Sequence, residues 1–321
     1  MLLQRLAVCM LMVVMTAACG SAAQAQNFPN KPVRIVAAGV GGSGDFAARL
    51  IAQGLGAGWP QPLIVDNRGD GTIAATIVQK APADGYTLQL TGSNLWLLQF
   101  LRSNVGWDAL KEFSPLTLAV SSPNLVVVPP AVAAKSVREL SSRVKAKPGA
   151  LNYGTSGTGT SNHLAGELFK VMAGVDVVRV NCKGAPLAIT DLISGQLQLM
   201  FAAVGSVSSH VKTGLLKALA VTSVRPTPLA SDLLTVAASV LPGYELVGVL
   251  GIFAPAGTPA ALVQRFNREI AQVLHKNDVK ETFFNTGTEI VASTPEELTA
   301  TMKSEINRMG KVIKDAGIRD E

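Results

Sequence analysis

An α/β fold follows from three features of the sequence. Short apolar runs of strand length alternate with segments of helical period. Two Gly-rich loops each join a strand-like run to a helix-like one. At roughly 150 residues per domain, 321 residues suffice for about two cores. Apolar residues make up 48% of the chain and charged residues 16%, which excludes intrinsic disorder.

The elements can be justified in order. Val33 to Ala38 is a buried-strand run. Asp45 to Leu55 is helical, with Phe46, Ala47, Leu50 and Ile51 at helical spacing. Leu63 to Val65 is the next strand and Thr72 to Lys80 the next helix. Asp84-Gly85 turns the chain into a strand over Tyr86 to Leu90. Ser136 to Glu139 fits a capping box ahead of Leu140 and Val144. Asn152 to Thr160 is a Gly/Ser/Thr-rich turn, followed by a helix with Leu164, Leu168, Phe169 and Met172 on one side. Pro186 to Ile193 is a short helix; Leu197 to Phe201 and Leu216 to Val221 are strands. Thr258-Pro259 is an N-cap with Pro at the first helical position, starting a helix through about Leu274. Thr294 to Glu297 is a second capping box. Leu298, Met302, Ile306, Met309 and Ile313 then form one helical stripe, read as core packing.

The N-terminus reads as an export signal. Arg5 is a positive n-region, Leu6 to Met15 is an apolar run of ten, and Ala23-Gln24-Ala25 is an A-x-A cleavage pattern. The run is too short for a membrane span of about 20 residues. Cleavage after Ala25 removes Cys9 and Cys19 and leaves Cys182. Thr16-Ala17-Ala18-Cys19 loosely resembles a lipobox, but Thr16 stands where Leu is usual. The pattern favours a soluble periplasmic protein over a lipoprotein anchored at Cys19. Three Cys and three His, scattered, make no spaced zinc cluster, so no metal site is expected. The net charge of +6 is diffuse and aromatics are few, which argues against nucleic acid.

Gly39 to Gly44 matches G-x-G-x-x-G between a strand and a helix, and Asp66 lies at the end of the next strand. That is the arrangement of a dinucleotide fold, so an NAD-dependent oxidoreductase is one reading. The underlying physics serves any anion: glycines let the backbone approach, and a helix N-terminus offers unpaired N–H groups. Export weighs against the nucleotide. Gly154 to Ser161 is a second such loop without the Lys of a phosphate-binding loop. Two such loops on two domains could face one another and hold a carboxylate. Taken by itself, the second loop reads first as a plain Gly/Thr turn with a Ser/Thr cap and no ligand. Neither a G-x-S-x-G elbow nor a nucleophile with an obvious base is present, so no enzyme is expected. His163, at a helix start, reads as a structural hydrogen-bonding residue.

From about Phe28 onward the chain resembles the Bug-type periplasmic solute receptors of tripartite tricarboxylate transporters. Lys31 to Val36, Gly41 to Asp45 with Ala48-Arg49, Asp66-Asn67-Arg68 and Pro82 to Thr87 carry the likeness in its first part. Trp107-Asp108, Lys111, Phe113 and Pro115 continue it, followed by Lys145 to Gly149, Leu151 to Tyr153 and His163 to Glu167. Lys183-Gly184, Ala218 to Thr222, Leu241 to Tyr244 and Ala254 to Pro259 complete it.

The resemblance implies a type II-like two-domain clamshell, each domain a mixed sheet flanked by helices. Residues 26–123 plus 250–321 would form one domain and 124–249 the other. Two crossover strands would lie near Val120 to Val128 and Leu246 to Phe253. It implies a small carboxylate ligand, permease subunits as partners, a monomer, no cofactor and no metal. The matching ligand positions are Ala38, Gly41, Gly42, Ser43, Gly44 and Asp45 in the first loop, Ser93 and Asn94 in a third, and Ser156, Gly157, Thr158 and Thr160 in the second. Cys182 and Ala202 complete the set. Asp45 would cap its helix or bond a bridging water. Three departures stand out. Ala37-Ala38 replaces Pro-Phe, Asn181-Cys182 replaces Pro-Tyr, and Ala202-Ala203 replaces a short acidic step. Loss of the acid argues against an amino-acid ligand. Small residues suggest a larger ligand, an aromatic or branched carboxylate, or a decayed site. A sensor role, feeding a signalling partner, remains an alternative to transport.

Overall fold

A computed structural model describes residues 28–319 except 38, 41, 69, 70, 104 and 183. The expected signal peptide, its cleavage site and Cys19 lie outside the described residues. In chain order the elements are β1 (Val33–Ala37), α1 (Ser43–Gly56), β2 (Leu63–Asn67), α2 (Gly71–Gln79), β3 (Thr87–Thr91), α3 (Asn94–Leu101), α4 (Ala109–Glu112) and β4 (Phe113–Val128). Next come α5 (Val137–Ala146), β5 (Asn152–Thr155), α6 (Ser161–Ala173), β6 (Val178–Asn181), α7 (Ala185–Ile193), β7 (Leu199–Ala203), α8 (Val204–Lys212) and β8 (Lys217–Val221). The chain closes with α9 (Val236–Ser239), β9 (Val247–Pro255), α10 (Ala260–Leu274), α11 (Asn277–Asn285), β10 (Glu289–Ile290) and α12 (Pro295–Asp315).

The sheet order is β2-β1-β3-β9-β4-β7-β5-β6, with β8 and β10 also on β4. β1 pairs in parallel with β2 and β3, and β5 with β6 and β7, as strand–helix–strand connections require. The 16-residue β4 is shared. Its first part, Phe113 to Pro123, runs antiparallel to β9, and Leu125 to Val128 lies between β7 and β8. One apolar cluster packs β1, β3, α1 and α10 around Ile35, Ile51, Leu88 and Phe266. Another packs β7, α7 and α8 around Met200, Leu192 and Val207. No described helix is long and apolar enough to cross a membrane.

Most expected elements fall within a residue or two of their place. The α12 capping box is complete: Glu297 N–H donates to Thr294 Oγ1 at 3.1 Å, and Thr294 N–H to Glu297 Oε2 at 2.8 Å. Its stripe buries Leu298, Met302, Met309 and Ile313, with Ile306 partly covered. Three expectations need correction. At α5, Ser136 Oγ accepts from Glu139 N–H, but the Glu139 carboxylate accepts from Lys135 N–H, so half the box forms. At α10, Pro259 is the N-cap, and the Thr258 hydroxyl donates to the Pro255 carbonyl at 2.8 Å. The stretch from Asn152 begins as strand β5, because Tyr153 and Gly154 pair with both neighbouring strands.

Candidate ligand-binding cleft

A cavity of about 660 Å³ opens between the two parts of the sheet. β4 crosses its floor. Val120, Ser122 and Asn124 line it because alternate residues of a strand face one side. Gly248, Val249 and Leu250 of β9 lie beside them. The wall on one side is Gly42 and Ser43 at the start of α1, with Ser93 and Asn94 at the start of α3. The opposite wall is Ser156, Thr158, Gly159 and Thr160, leading into α6. Ala202, Ala203, Gly205 and Ser206 at the start of α8, and Ala185 and Pro186 at the start of α7, complete it.

Five helices thus begin at this cavity: α1, α3, α6, α7 and α8. Among the described residues none has a side-chain hydrogen bond at its N-cap. Elsewhere α4, α5, α9 and α12 are capped by Asp108, Ser136, Thr235 and Thr294, while α10 and α11 are also without a side-chain cap. The first N–H groups of a helix have no intrahelical partner and carry a partial positive charge. Left uncapped, they are available to an anion. No described lining residue is charged or aromatic.

The second loop is held by Asn162, which is 7% exposed. Its Nδ2 donates to Ser156 Oγ at 2.7 Å, and its Oδ1 accepts from Ser156 N–H at 3.3 Å and Thr160 Oγ1 at 2.5 Å. Gly157 and Gly159 take φ values of +150° and +76°, which favour glycine. A Cβ on Gly159 would stand 2.8 Å from Leu101 Cδ1 at the end of α3. His163 is fully buried behind this loop. Its Nδ1 accepts from Gly159 N–H at 3.0 Å. Burial, with the cations of Arg179 and Lys170, pushes its pKa down to about 3, so it is neutral at pH 7. The structural role expected of it is the one observed.

Of the expected ligand positions, Gly42, Ser43, Ser93, Asn94, Ser156, Thr158, Thr160 and Ala202 share the cavity wall. Ser93 and Asn94 were expected in a loop; Ser93 is the N-cap of α3 and Asn94 its first residue. Ala38 and Gly41 lie outside the described residues. Gly44, Asp45, Gly157 and Cys182 do not line the cavity. Asp45 sits in the first turn of α1, whose N-cap is Gly42, and is not among the described residues that line the cavity. Its Oδ1 takes Arg49 Nε at 2.8 Å and Asn67 Nδ2 at 3.0 Å. Cys182 Sγ lies 3.8 Å from Asp191 Oδ2. Burial, and then the Asp191 carboxylate, push the thiol up, the opposite of an activated cysteine. Asp66 is engaged by Arg68 at 2.9 Å and Arg34 at 3.5 Å.

Sequence reasoning missed Ser122, Asn124, Asn162, Ser206 and Thr288 as wall residues. The run Ser161-Asn162 after a Gly-rich turn was a usable signal for Asn162. For the β4 residues no local signal existed, since only the crossing of β4 under both walls brings them there.

The profile of the tripartite tricarboxylate transporter family receptor matches residues 47–318. The chain is 32% identical over 305 residues to the UPF0065 protein in the tcbD-tcbE intergenic region of Pseudomonas sp. (strain P51), covering 94% of this chain and 91% of that one. Among solved structures it resembles R. palustris Rpa4515 with adipate, at TM-score 0.80 and 33% identity, covering 91% of this chain and 99% of the other. It also resembles MatC (Rpa3494) from Rhodopseudomonas palustris with bound malate, at TM-score 0.76 and 27% identity, covering 89% and 100%.

Proposed function

This chain belongs to the tripartite tricarboxylate transporter receptor family, and we propose that it captures a small carboxylate between its two Gly-rich loops and delivers it to the permease subunits of such a transporter. The family is one of periplasmic solute-binding receptors, not enzymes, so the dinucleotide-dependent reading of Gly39 to Gly44 is set aside. The observation that carries the proposal is the convergence of five uncapped helix N-termini on a cavity whose described lining holds no acid. Anions are stabilised in that setting, and cations are not. The adipate and malate of the two structural relatives are carboxylates, in keeping with it.

Ser43, Ser93, Ser156, Thr158 and Thr160 supply hydroxyls at the carboxylate end. Val120, Met200, Ala202, Val249 and Leu250 face the body of the ligand. With Ala202-Ala203 at the start of α8, no acid of that step pairs with an ammonium, which disfavours an amino acid. Residues 26–123 plus 250–321 form one lobe and 124–249 the other, with β4 and β9 as the hinge strands, in a monomer exported by cleavage after Ala25. A ligand that touches both walls binds the closed form better than the open one, which is what drives closure.

A thermal-shift screen of the mature protein against a carboxylate library tests this. A carboxylate at a hundredfold its Kd adds about 2.7 kcal/mol of stability and raises Tm. If no carboxylate raises Tm while amines or NAD do, the proposal is lost.

A further inference from the structure

Behind the cleft wall stands a cation with no acidic partner among the described residues. Arg179 lies on the edge strand β6, in register with Tyr153 of β5. One end of its guanidinium donates to Thr158 Oγ1 at 2.7 Å, and its other terminal nitrogen lies 3.0 Å from His163 Nε2. Its Nε is buried without a hydrogen-bond partner among the described residues. No described carboxylate pairs with it. Glu167, the acid of α6, is already taken by Lys170 at 3.1 Å and by the Tyr153 hydroxyl. A partly buried guanidinium with a hydroxyl and a neutral imidazole as neighbours is poorly neutralised.

We propose that Arg179 is the counter-charge of the bound carboxylate, acting through the Thr158 hydroxyl. The proposal rests on the carboxylate-receptor reading and names the positioning residue that makes the second loop attractive to an anion. A hydroxyl has one proton and two acceptor lone pairs. Arg179 occupies a lone pair of Thr158, so the hydroxyl proton is left to be donated. Thr158 lines the cavity, and among the described residues its hydroxyl donates to none. The donor is therefore oriented, and polarised by a full positive charge behind it. A carboxylate accepting that bond completes a relayed ion pair: guanidinium, hydroxyl, carboxylate. The lining itself offers no described charge, so this relay reaches the site from one residue away.

His163 is the rival source of positive charge, and the structure argues against it. Arg179 from β6 lies 3.0 Å from its ring and Lys170 of its own helix α6 acts on it, while the acid of that helix, Glu167, is held by Lys170 and the Tyr153 hydroxyl. Burial, with the charges of Arg179 and Lys170 beside it, keeps it neutral at physiological pH.

Calorimetric titration with adipate and with malate tests the relay in the wild type and in Arg179→Met, Arg179→Lys, Thr158→Val and the double variant R179M/T158V. Arg179→Met is expected to weaken binding about tenfold or more, the scale of one charge-assisted hydrogen bond. Arg179→Lys should recover most of that loss. In the Thr158→Val background, Arg179→Met should cost less than about twofold, because its route to the ligand is already cut. Wild-type affinity should stay flat between pH 6 and pH 9, since a guanidinium does not titrate there. Wild-type binding with unchanged affinity in R179M overturns the Arg179 role alone. So does full additivity of the two substitutions, equal losses in R179M and R179K, or wild-type affinity that rises as pH falls from 9 to 6. A wild type that binds neither acid at millimolar concentration overturns the receptor reading and this role together.

Discussion

Gly205 and Gly287 meet backbone to backbone beside the cleft. A Cβ on Gly287 would lie 2.2 Å from the Gly205 nitrogen, and one on Gly205 would lie 2.0 Å from the Thr286 carbonyl oxygen. The first belongs to the start of α8 and the second to the turn between α11 and β10. Ser122 of β4 donates to the Gly287 carbonyl at 3.0 Å from beneath. The start of α8 and the turn before β10 approach this closely because neither residue has a side chain.

Gly205→Ala should therefore push the start of α8 away from the turn that holds Gly287. The added methyl meets backbone, which cannot swing aside as a side chain can. Carboxylate affinity should fall at least about tenfold, the effect of removing a closed state from reach. Small-angle scattering with saturating adipate should show an expanded envelope where the wild type contracts. Equal contraction in both would refute the idea.

Ser43→Asp should weaken carboxylate binding by about 1–3 kcal/mol, the scale of a lost charge-assisted bond plus like-charge repulsion. Ser43 begins α1 and lines the cavity. Unchanged affinity in a calorimetric titration would place the carboxylate elsewhere.

Asn162→Ala should loosen the second loop. Three hydrogen bonds from one buried amide hold Ser156 and Thr160 in place, and each is worth about 0.5–1.5 kcal/mol. Both Tm and carboxylate affinity should drop, with affinity falling more than stability alone explains. Loss of Tm with native affinity would show that the loop shapes itself on the ligand.

His163 gives the fold a pH dependence with a definite sign. Its pKa falls from 6.5 to about 3 on folding. Above pH 6.5 it is neutral in both states and has no effect on the balance. As pH falls from 6.5 toward 3, the unfolded chain takes up a proton that the native chain refuses. Stability then declines by up to about 1.4 kcal/mol per pH unit from this group. His163→Asn, whose Oδ1 can accept from Gly159 N–H, should remove that component. Urea midpoints at pH 4, 5, 6 and 7 for both proteins check it; parallel curves would contradict it.

Much of the fold was legible in the sequence because it is written in local pattern. The α1 and α12 stripes, the Thr294–Glu297 box and the short apolar runs of β1 and β7 depend on neighbours a few residues away. The site was half legible. Ser43, Ser156, Thr158 and Thr160 announce themselves as Gly-rich strand-to-helix loops. The misreadings had one source: side chains choose among several local partners. Thr258 bonds Pro255 in place of capping, Glu139 takes Lys135 N–H, and Asp45 pairs with Arg49.

The sequence alone determined the α/β class, the family likeness and the two loops that offer helix N-termini. Those properties follow from periodicity and from residue types at short spacing. Only the tertiary structure decided which residues share a wall. β4 carries Ser122 and Asn124 under both loops, α8 brings Gly205 against Gly287, and the register of β5 on β6 sets Arg179 behind Thr158. These contacts join residues far apart in the chain, so they are settled by how strands pair and helices pack, which no short window of sequence contains.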